Sequence, residues 1–205
     1  MSEDGVCRGG APVIDRPFDE VLDAARSGSE AAFAVLYRSL APAMLAFARG
    51  RGAPDPEDVV AETMTSVARN LGRFHGDQGA FRSWAFTIAY RRVMDDRRRA
   101  ARRPVVRPLS DTEDWASALR PAEGIVDDLA SAPVLDALRR LAPAQRDVVL
   151  LRVVGDLSVR EVASVLGKRE GAVKMIQSRA LDQLRRDLSA AAPSRAEAAV
   201  GERDG

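Results

Sequence analysis

The sequence contains one cysteine, one histidine and few aromatic residues, and each shortage excludes a class of protein. Cys7 has no partner within the chain, so an intrachain disulfide and a cysteine-based metal cage are both excluded. His75 is the single histidine, so a metal site built from several histidines is excluded as well. We therefore expect neither a metal nor a cofactor.

Signals for membranes and secretion are also missing from the sequence. No run of apolar residues approaches the length needed to span a bilayer. The first residues lack the basic segment and apolar core that a signal peptide would have. These absences predict a cytoplasmic protein without membrane insertion.

Positively and negatively charged residues are nearly equal in number over the whole chain. The net charge is +1, which excludes a global basic field that would attract nucleic acid. The distribution is uneven, however, because Arg91 to Arg103 contains seven arginines against two aspartates, whereas Ser110 to Asp128 is acidic. The chain therefore contains a basic patch and an acidic connector although its net charge is close to zero.

The abundant residues favour helices over sheets. Ala, Leu, Val and Arg dominate, and of these Ala, Leu and Arg lose little conformational freedom in a helix. Apolar residues recur at helical spacing, and no strand pattern competes with it. We expect Gly28 to end the first helix and Ser29 to begin the second, which Pro42 should kink or interrupt. Asp55 is the expected N-cap of a third helix.

The pattern predicts an all-α protein of two small helical domains joined by a flexible linker. The proline-containing linker has weak periodicity, and both termini lack periodicity or are expected to fray. The predicted segments are a disordered N-terminus (residues 1–16), a first helical domain (17–103), a linker (104–132), a second helical domain (133–188) and a disordered tail (189–205).

The second domain contains the spacing of a helix-turn-helix between Ser158 and Leu184. Ala163 would allow close approach of two helices, and Gly167 would permit the turn between them. The second of these helices should expose five side chains suited to the major groove, where Lys and Arg donate to guanine or phosphate. They are Glu170, Lys174, Met175, Ser178 and Arg179. The alternative is a plain helical hairpin whose charges are only solvated.

The first domain contains a helix from about Phe81 to Arg99 in which aromatic residues alternate with arginines. This combination suits single-stranded DNA, because bases stack on rings while the backbone meets positive charge. The alternative is an amphipathic helix with Trp84 in the core and its arginines in water.

Taken together, these segments resemble the extracytoplasmic-function sigma factors of the sigma-70 family. The stretches Asp55–Met64 and Phe81–Ala89 resemble region 2 of that family. Ala137–Leu151 resembles the entry to region 4, and Gly171–Leu181 resembles its recognition helix. Three positions depart from the family pattern, since Arg91 replaces a frequent Asn and Met175-Ile176 replaces a frequent Ser-Arg.

The resemblance implies a sigma factor that binds core RNA polymerase and directs it to promoters. Region 2 would open the −10 element and region 4 would read the −35 element. The implied partners are the β′ clamp helices and β flap of the polymerase, promoter DNA and, as is common in the family, an anti-sigma factor. The implied polymerase contacts are Asp55, Asp58, Glu62 and Thr63. The expected −10 contacts are Arg82, Trp84, Tyr90, Arg91, Arg92 and Arg98.

Two other functions would each account for part of the sequence. A stand-alone helix-turn-helix regulator would explain Ser158 to Leu184 but would leave the acidic helix that begins at Asp55 without a function. An enzyme acting on DNA would need converging carboxylates, whereas Asp95 and Asp96 point in different directions on one helix. No Gly-rich phosphate loop is present either, so we expect no enzyme activity.

Overall fold

The computed structural model describes residues 17–102 and 132–191, and all regular structure within them is helical. The N-terminal domain contains α1 (Phe18–Arg26), α2 (Glu30–Gly50), α3 (Pro56–Asn70), a 3₁₀ turn (Leu71–Arg73) and α4 (Gln78–Arg102). The C-terminal domain contains α5 (Ala132–Arg140), α6 (Pro143–Val153), α7 (Val159–Leu166) and α8 (Glu170–Ala191). The all-α, two-domain architecture expected from the sequence is confirmed. The predicted linker and tails fall almost entirely outside the described residues.

The helices begin and end at the local signals in the sequence. The hydroxyl of Ser29 accepts from Ala32 N at the start of α2, and Gly28 has φ 90° just before it. The carboxylate of Asp55 accepts from Asp58 N at 2.9 Å at the start of α3. Each cap satisfies an amide that lacks a partner within its helix.

Pro42 does not interrupt α2. The helix runs unbroken from Glu30 to Gly50. Pro42 is exposed, so the carbonyl that its ring deprives of a hydrogen bond lies on the solvent side, where water can replace the lost donor.

Helix α2 is also long and apolar enough to span a bilayer, so the expectation that no segment approaches this length is wrong. An 18-residue window of it has a mean hydropathy of 1.5. Leu36, Leu40, Met44 and Phe47 of this helix are nevertheless buried in the protein core. Its central position in the fold explains its apolar composition.

The helix-turn-helix geometry is present in α7 and α8. Ser158 and Glu161 form a reciprocal capping box at the start of α7, and Gly167 ends the helix with φ 61°. Val162 and Val173 are fully buried between the helices, and Ala163 is buried beside them. The expected packing of this motif is therefore confirmed.

The two domains share one continuous core. Phe81 and Phe86 of α4 belong to the same buried cluster as Leu151, Leu157 and Val162 of the C-terminal domain. Helix α7 packs against α4, and α6 packs against the end of α2. The sequence predicted two domains with separate tasks, but it did not predict that they would pack together.

Candidate nucleic-acid interface

The start of α3 presents an acidic face that includes most of the predicted polymerase contacts. Asp55 and Asp58 are exposed, and Glu62, about one turn beyond Asp58, is half-buried. Thr63 is different, because it is 0% exposed and its hydroxyl has no hydrogen-bond partner among the described residues. In this arrangement, three of the four predicted polymerase contacts are accessible and Thr63 is not.

Arg82, a predicted −10 contact, is buried against the C-terminal domain. Its Nε donates to the carbonyl oxygen of Gly155, in the turn between α6 and α7. The guanidinium carbon lies 5.8 Å from the centre of the Phe86 ring. Burial lowers the pKa of Arg82, an effect opposed by Asp156 and Glu161. The guanidinium therefore has partners within the protein and is not open to DNA in this arrangement.

Trp84 lies beside the aromatic side chains of its own domain. Its ring stacks on Phe74 at a centroid distance of 5.2 Å and an interplanar angle of 20°, and Phe81 lies 5.9 Å away. The indole is half-buried. Trp84 thus supports the packing of α4, and one face of its ring is already occupied.

Tyr90, another predicted −10 contact, belongs to a group that crosses between the domains. Its hydroxyl donates to Oδ2 of Asp147 on α6 at 3.5 Å. Asp147 also forms an ion pair with Arg51 at the end of α2, and both of these side chains are almost completely buried. We call Arg51, Tyr90 and Asp147 the interdomain triad.

Burial disfavours the charged form of every member of the interdomain triad. Desolvation raises the pKa of Asp147, although Arg51 opposes this shift. Desolvation lowers the pKa of Arg51, although Asp147 opposes that shift in turn. The pKa of Tyr90 is raised, first by burial and then by the negative charge of Asp147. The attraction within the pair therefore only partly offsets the removal of both charges from water.

Neither Arg51 nor Asp147 was predicted from the sequence as a functional residue. Arg51 lies between Gly50 and Gly52, where the sequence indicated only a break between helices. A signal for Asp147 did exist, because it lies three and four residues before two buried leucines of α6, Leu150 and Leu151. That spacing places the carboxylate on the apolar face of the helix.

The remaining arginines of the predicted −10 set are exposed or form ion pairs within the N-terminal domain. Arg91 is exposed, and Arg98 is exposed and pairs with Asp95 at 3.3 Å. Arg92 forms an ion pair with Glu62 of α3. A shallow cavity of about 260 Å³ lies beside Arg91 and Arg92. Its other lining residues are Ser66, Ile88, Asp95, Asp96 and Arg99. The six predicted −10 contacts therefore do not form one surface in this arrangement.

The predicted −35 contacts are all exposed on one side of α8. This set comprises Glu170, Lys174, Met175, Ser178 and Arg179. The opposite side of the helix is anchored by Val173 and Ala180, both 0% exposed. Met175 is 54% exposed although it is a large apolar residue. The helix therefore presents basic, polar and apolar groups together, and these are the types of group that contact base edges and phosphates.

The described residues offer no metal site. Within residues 17–102 and 132–191, no three His, Cys, Asp or Glu side chains come together in a way that could hold a metal ion.

Comparisons with known proteins match both domains. The family described as Sigma-70 region 2 matches residues 36–103, and Sigma-70, region 4 matches residues 131–184. The chain is 34% identical over 172 residues to the ECF RNA polymerase sigma factor BldN of Streptomyces coelicolor, covering 82% of this chain and 65% of that relative. It is 31% identical over 164 residues to the ECF RNA polymerase sigma factor RpoE of Cereibacter sphaeroides, covering 78% of this chain and 88% of that relative.

A solved structure, that of CnrH in complex with the cytosolic domain of CnrY, has a similar fold. The TM-score is 0.60 at 28% identity, and the match covers 83% of this chain and 96% of CnrH. Both domains, their order along the chain and their helical architecture thus agree with one family. The chain belongs to the extracytoplasmic-function RNA polymerase sigma factors of the sigma-70 family.

Proposed function

We propose that this sigma factor binds core RNA polymerase through the acidic face of α3, holds the opened −10 element with α4 and reads the −35 element with α8. The observation that carries the proposal is the exposed face of α8, where five groups suited to DNA lie opposite a fully buried anchor. A stand-alone regulator would use α7 and α8 but would leave the N-terminal domain, which matches region 2, without a role.

The acidic face of α3 suits a basic partner surface. Asp55 and Asp58 lie in and just before the first helical turn, where the helix dipole stabilises negative charge. Both carboxylates remain exposed, and Glu62 continues the same side of the helix. The β′ clamp helices of the polymerase are the partner that the family implies for this face. Thr63 is not among the proposed polymerase contacts because it is buried.

The exposed arginines of α4 support the proposed role in promoter opening. Arg91 and Arg98 are exposed and can approach the phosphates of a separated strand directly. Arg82 and Tyr90 lie along the same helix but face the C-terminal domain. Trp84 contributes by packing against Phe74, which holds α4 in place.

On α8, Lys174 and Arg179 supply hydrogen-bond donors for guanine or for the DNA backbone. Met175 supplies an apolar group, and the methyl group of thymine is the apolar feature of the major groove. The exposed methionine therefore favours a thymine within the −35 element, near the base or phosphate that Lys174 contacts.

We also propose that the protein acts in the cytoplasm, has no enzyme activity of its own, and is regulated by an anti-sigma factor. CnrH, its solved relative, was captured with the cytosolic domain of CnrY, which supports a protein partner of this type. The β flap of the polymerase is the implied contact of the C-terminal domain.

Run-off transcription with purified core polymerase and a library of genomic promoter fragments tests the proposed function. The wild-type chain should produce discrete transcripts that core polymerase alone does not produce. Asp58→Lys should abolish both transcription and capture of core polymerase, because it reverses the charge of the proposed docking face. Asp19→Lys is the matched control, since Asp19 is also an exposed acid in the first turn of a helix. Transcription by Asp58→Lys at the wild-type level would contradict the assignment of α3.

A further inference from the structure

Helix α2 has a second apolar stripe in addition to the face that it buries in the core. Leu36 and Met44 lie on the buried face, and both are 0% exposed. Phe33, Ala34 and Tyr37 follow one another at the three- and four-residue spacing of a single helix face. Phe33 and Ala34 are only half-buried, and Tyr37 is 41% exposed although it is a large aromatic residue. Because a helix that is apolar on more than one side is normally covered on each, this stripe indicates a binding surface.

The second stripe of α2 lines an open groove of about 460 Å³, and all of the lining residues belong to the N-terminal domain. The end of α1 contributes Ala25 and the turn after it contributes Gly28, whereas Ala68 and Leu71 come from the end of α3 and the turn that follows. Arg26 holds α1 in this position, since its Nε donates to the carbonyl oxygen of Leu71 at 3.4 Å. The groove is therefore formed by three helices that are fixed to one another.

Two charged residues of α2 lie at the rim of the groove, one near each end of the apolar stripe. Glu30 and Arg38 line the groove and are exposed. Neither of them forms an ion pair with any side chain in residues 17–102 and 132–191. An occupant that matches the groove would therefore combine apolar side chains with one charge of each sign.

We propose that the groove binds a segment of the chain itself, residues 11–16, which directly precede the N-terminal domain and lie outside the described residues. This segment has the sequence Ala-Pro-Val-Ile-Asp-Arg. Val13 and Ile14 supply apolar side chains for the exposed stripe of α2. Asp15 and Arg16 supply one charge of each sign for the two unpaired charges at the rim. The inference goes beyond the proposed function, because it involves neither DNA nor the polymerase.

The segment is long enough to reach the groove. Helix α1 begins at Phe18 and meets the groove at Ala25, about 10 Å further along the helix at 1.5 Å per residue. Val13 precedes Phe18 by five residues, which span about 16 Å when extended. A reversal of the chain at Pro17 would therefore bring Val13 beside Ala25. Because the segment is tethered, its effective concentration at the groove is on the order of millimolar, which favours it over a second copy of the chain.

Disulfide formation within the full chain tests this proposal. Val13→Cys would be combined with Ala68→Cys in a Cys7→Ser background, and the matched control would carry Ala61→Cys in place of Ala68→Cys. Both alanines are exposed on α3, but of the two only Ala68 lines the groove. Under mild oxidation the groove pair should close about tenfold faster than the control pair, because an unbound segment would meet both positions at similar rates. Peptide mapping by mass spectrometry identifies the disulfide that forms.

Nitration of Tyr37 by tetranitromethane measures whether the groove is covered when it carries no substitution. Tyr37 should react slowly in the wild-type chain, since the segment would cover its exposed ring. If about nine molecules in ten are covered, Val13→Ser/Ile14→Ser should speed nitration about tenfold, because reactivity scales with the uncovered fraction. Val6→Ser is the matched control, since it makes the same change outside residues 11–16. The half-buried Tyr90 serves as the internal reference for the reagent.

Faster closure of the groove pair, together with faster nitration in the double serine variant, is the expected result. Equal rates of closure at Ala68 and Ala61 would overturn the proposal, as would nitration of Tyr37 that the serine substitutions leave unchanged. Disulfide-linked dimers whose yield rises with protein concentration would assign the groove to a second copy of the chain and would overturn it as well. None of these measurements depends on transcription, so their failure is distinguishable from a failure of the proposed function.

Discussion

Arg92 on α4 and Glu62 on α3 form an ion pair, which joins a predicted DNA contact to a predicted polymerase contact. Their side chains remain 37% and 44% exposed, so the pair contributes only about 0–1 kcal/mol to stability. Because the attraction is weak, either side chain can leave the pair and bind DNA or the polymerase instead. A substitution at Arg92 therefore changes two surfaces at once, whereas Arg91 next to it can be changed alone.

Arg91→Glu should leave polymerase binding intact and impair promoter opening. Arg91 is exposed on α4, and the reversed charge would repel the phosphates of the separated strand. Permanganate footprinting of unpaired thymines measures the opening, and native gel shifts measure polymerase binding. Arg69→Glu is the control, because it reverses an exposed arginine on α3. Normal thymine reactivity in Arg91→Glu would show that this part of α4 is only structural.

Thr63→Val should preserve polymerase binding and keep or raise stability. Thr63 is 0% exposed and its hydroxyl has no hydrogen-bond partner among the described residues. Because burying an unpaired hydroxyl costs free energy, its removal should raise the free energy of unfolding by about 1 kcal/mol. Asp58→Ala should instead weaken polymerase binding, because its carboxylate is exposed. Thermal denaturation and core polymerase binding measure the two effects. Loss of polymerase affinity in Thr63→Val would mean that Thr63 becomes exposed in the complex.

Features that depend only on neighbouring residues were predicted correctly from the sequence. Ser29 and Asp55 cap their helices as expected, because capping is decided within one turn of the chain. Gly167 ends α7 for the same reason. Membership of the sigma factor family was also predicted correctly, since order and spacing of its motifs carry that information.

Features that depend on distant residues were not predicted. Arg51 and Asp147 are far apart in sequence, and neither has a local pattern that identifies the other. Their pairing depends on how α6 docks against α2, which a pattern of helix faces does not specify. The burial of Arg82 has the same origin, because its partner is a backbone carbonyl in the other domain. An arginine within an amphipathic helix indicated only an exposed charge.

Lys174→Ala and Arg179→Ala should each weaken use of the −35 element. Loss of a good base contact costs about 1–3 kcal/mol, and loss of a phosphate contact weakens binding to all sequences alike. Val173→Asp should unfold the C-terminal domain instead, because it buries an unpaired charge in a fully enclosed position. Promoter competition assays and circular dichroism distinguish these outcomes. Unaltered promoter choice in both alanine variants would refute the assignment of this face.

Met175 should make the −35 element sensitive to the methyl group of one thymine. Replacing each thymine of the element in turn with deoxyuridine removes that methyl and leaves base pairing unchanged. We expect one position to lose affinity with the wild-type chain and to lose none with Met175→Ala. The apolar contact is small, so the loss should be about 1 kcal/mol, near the cost of one buried methylene. Equal sensitivity in both proteins would assign the methyl contact to another side chain.

Arg51→Met/Asp147→Leu should hold the two domains together more firmly than the wild-type pair does. Burial raises the pKa of Asp147 and lowers that of Arg51, so both groups are held against the preference of their charges for water. Replacing a buried ion pair with apolar residues of similar size is often neutral or stabilising by about 1–4 kcal/mol. Removing one partner, as in Asp147→Ala, should have the opposite effect, because the domains would separate to return Arg51 to water. Fluorescence energy transfer between one dye on α3 and one on α7 should therefore rise in the double variant and fall in the single one. A double variant whose domains separate as readily as those of Asp147→Ala would mean that the ion pair itself holds the two domains together.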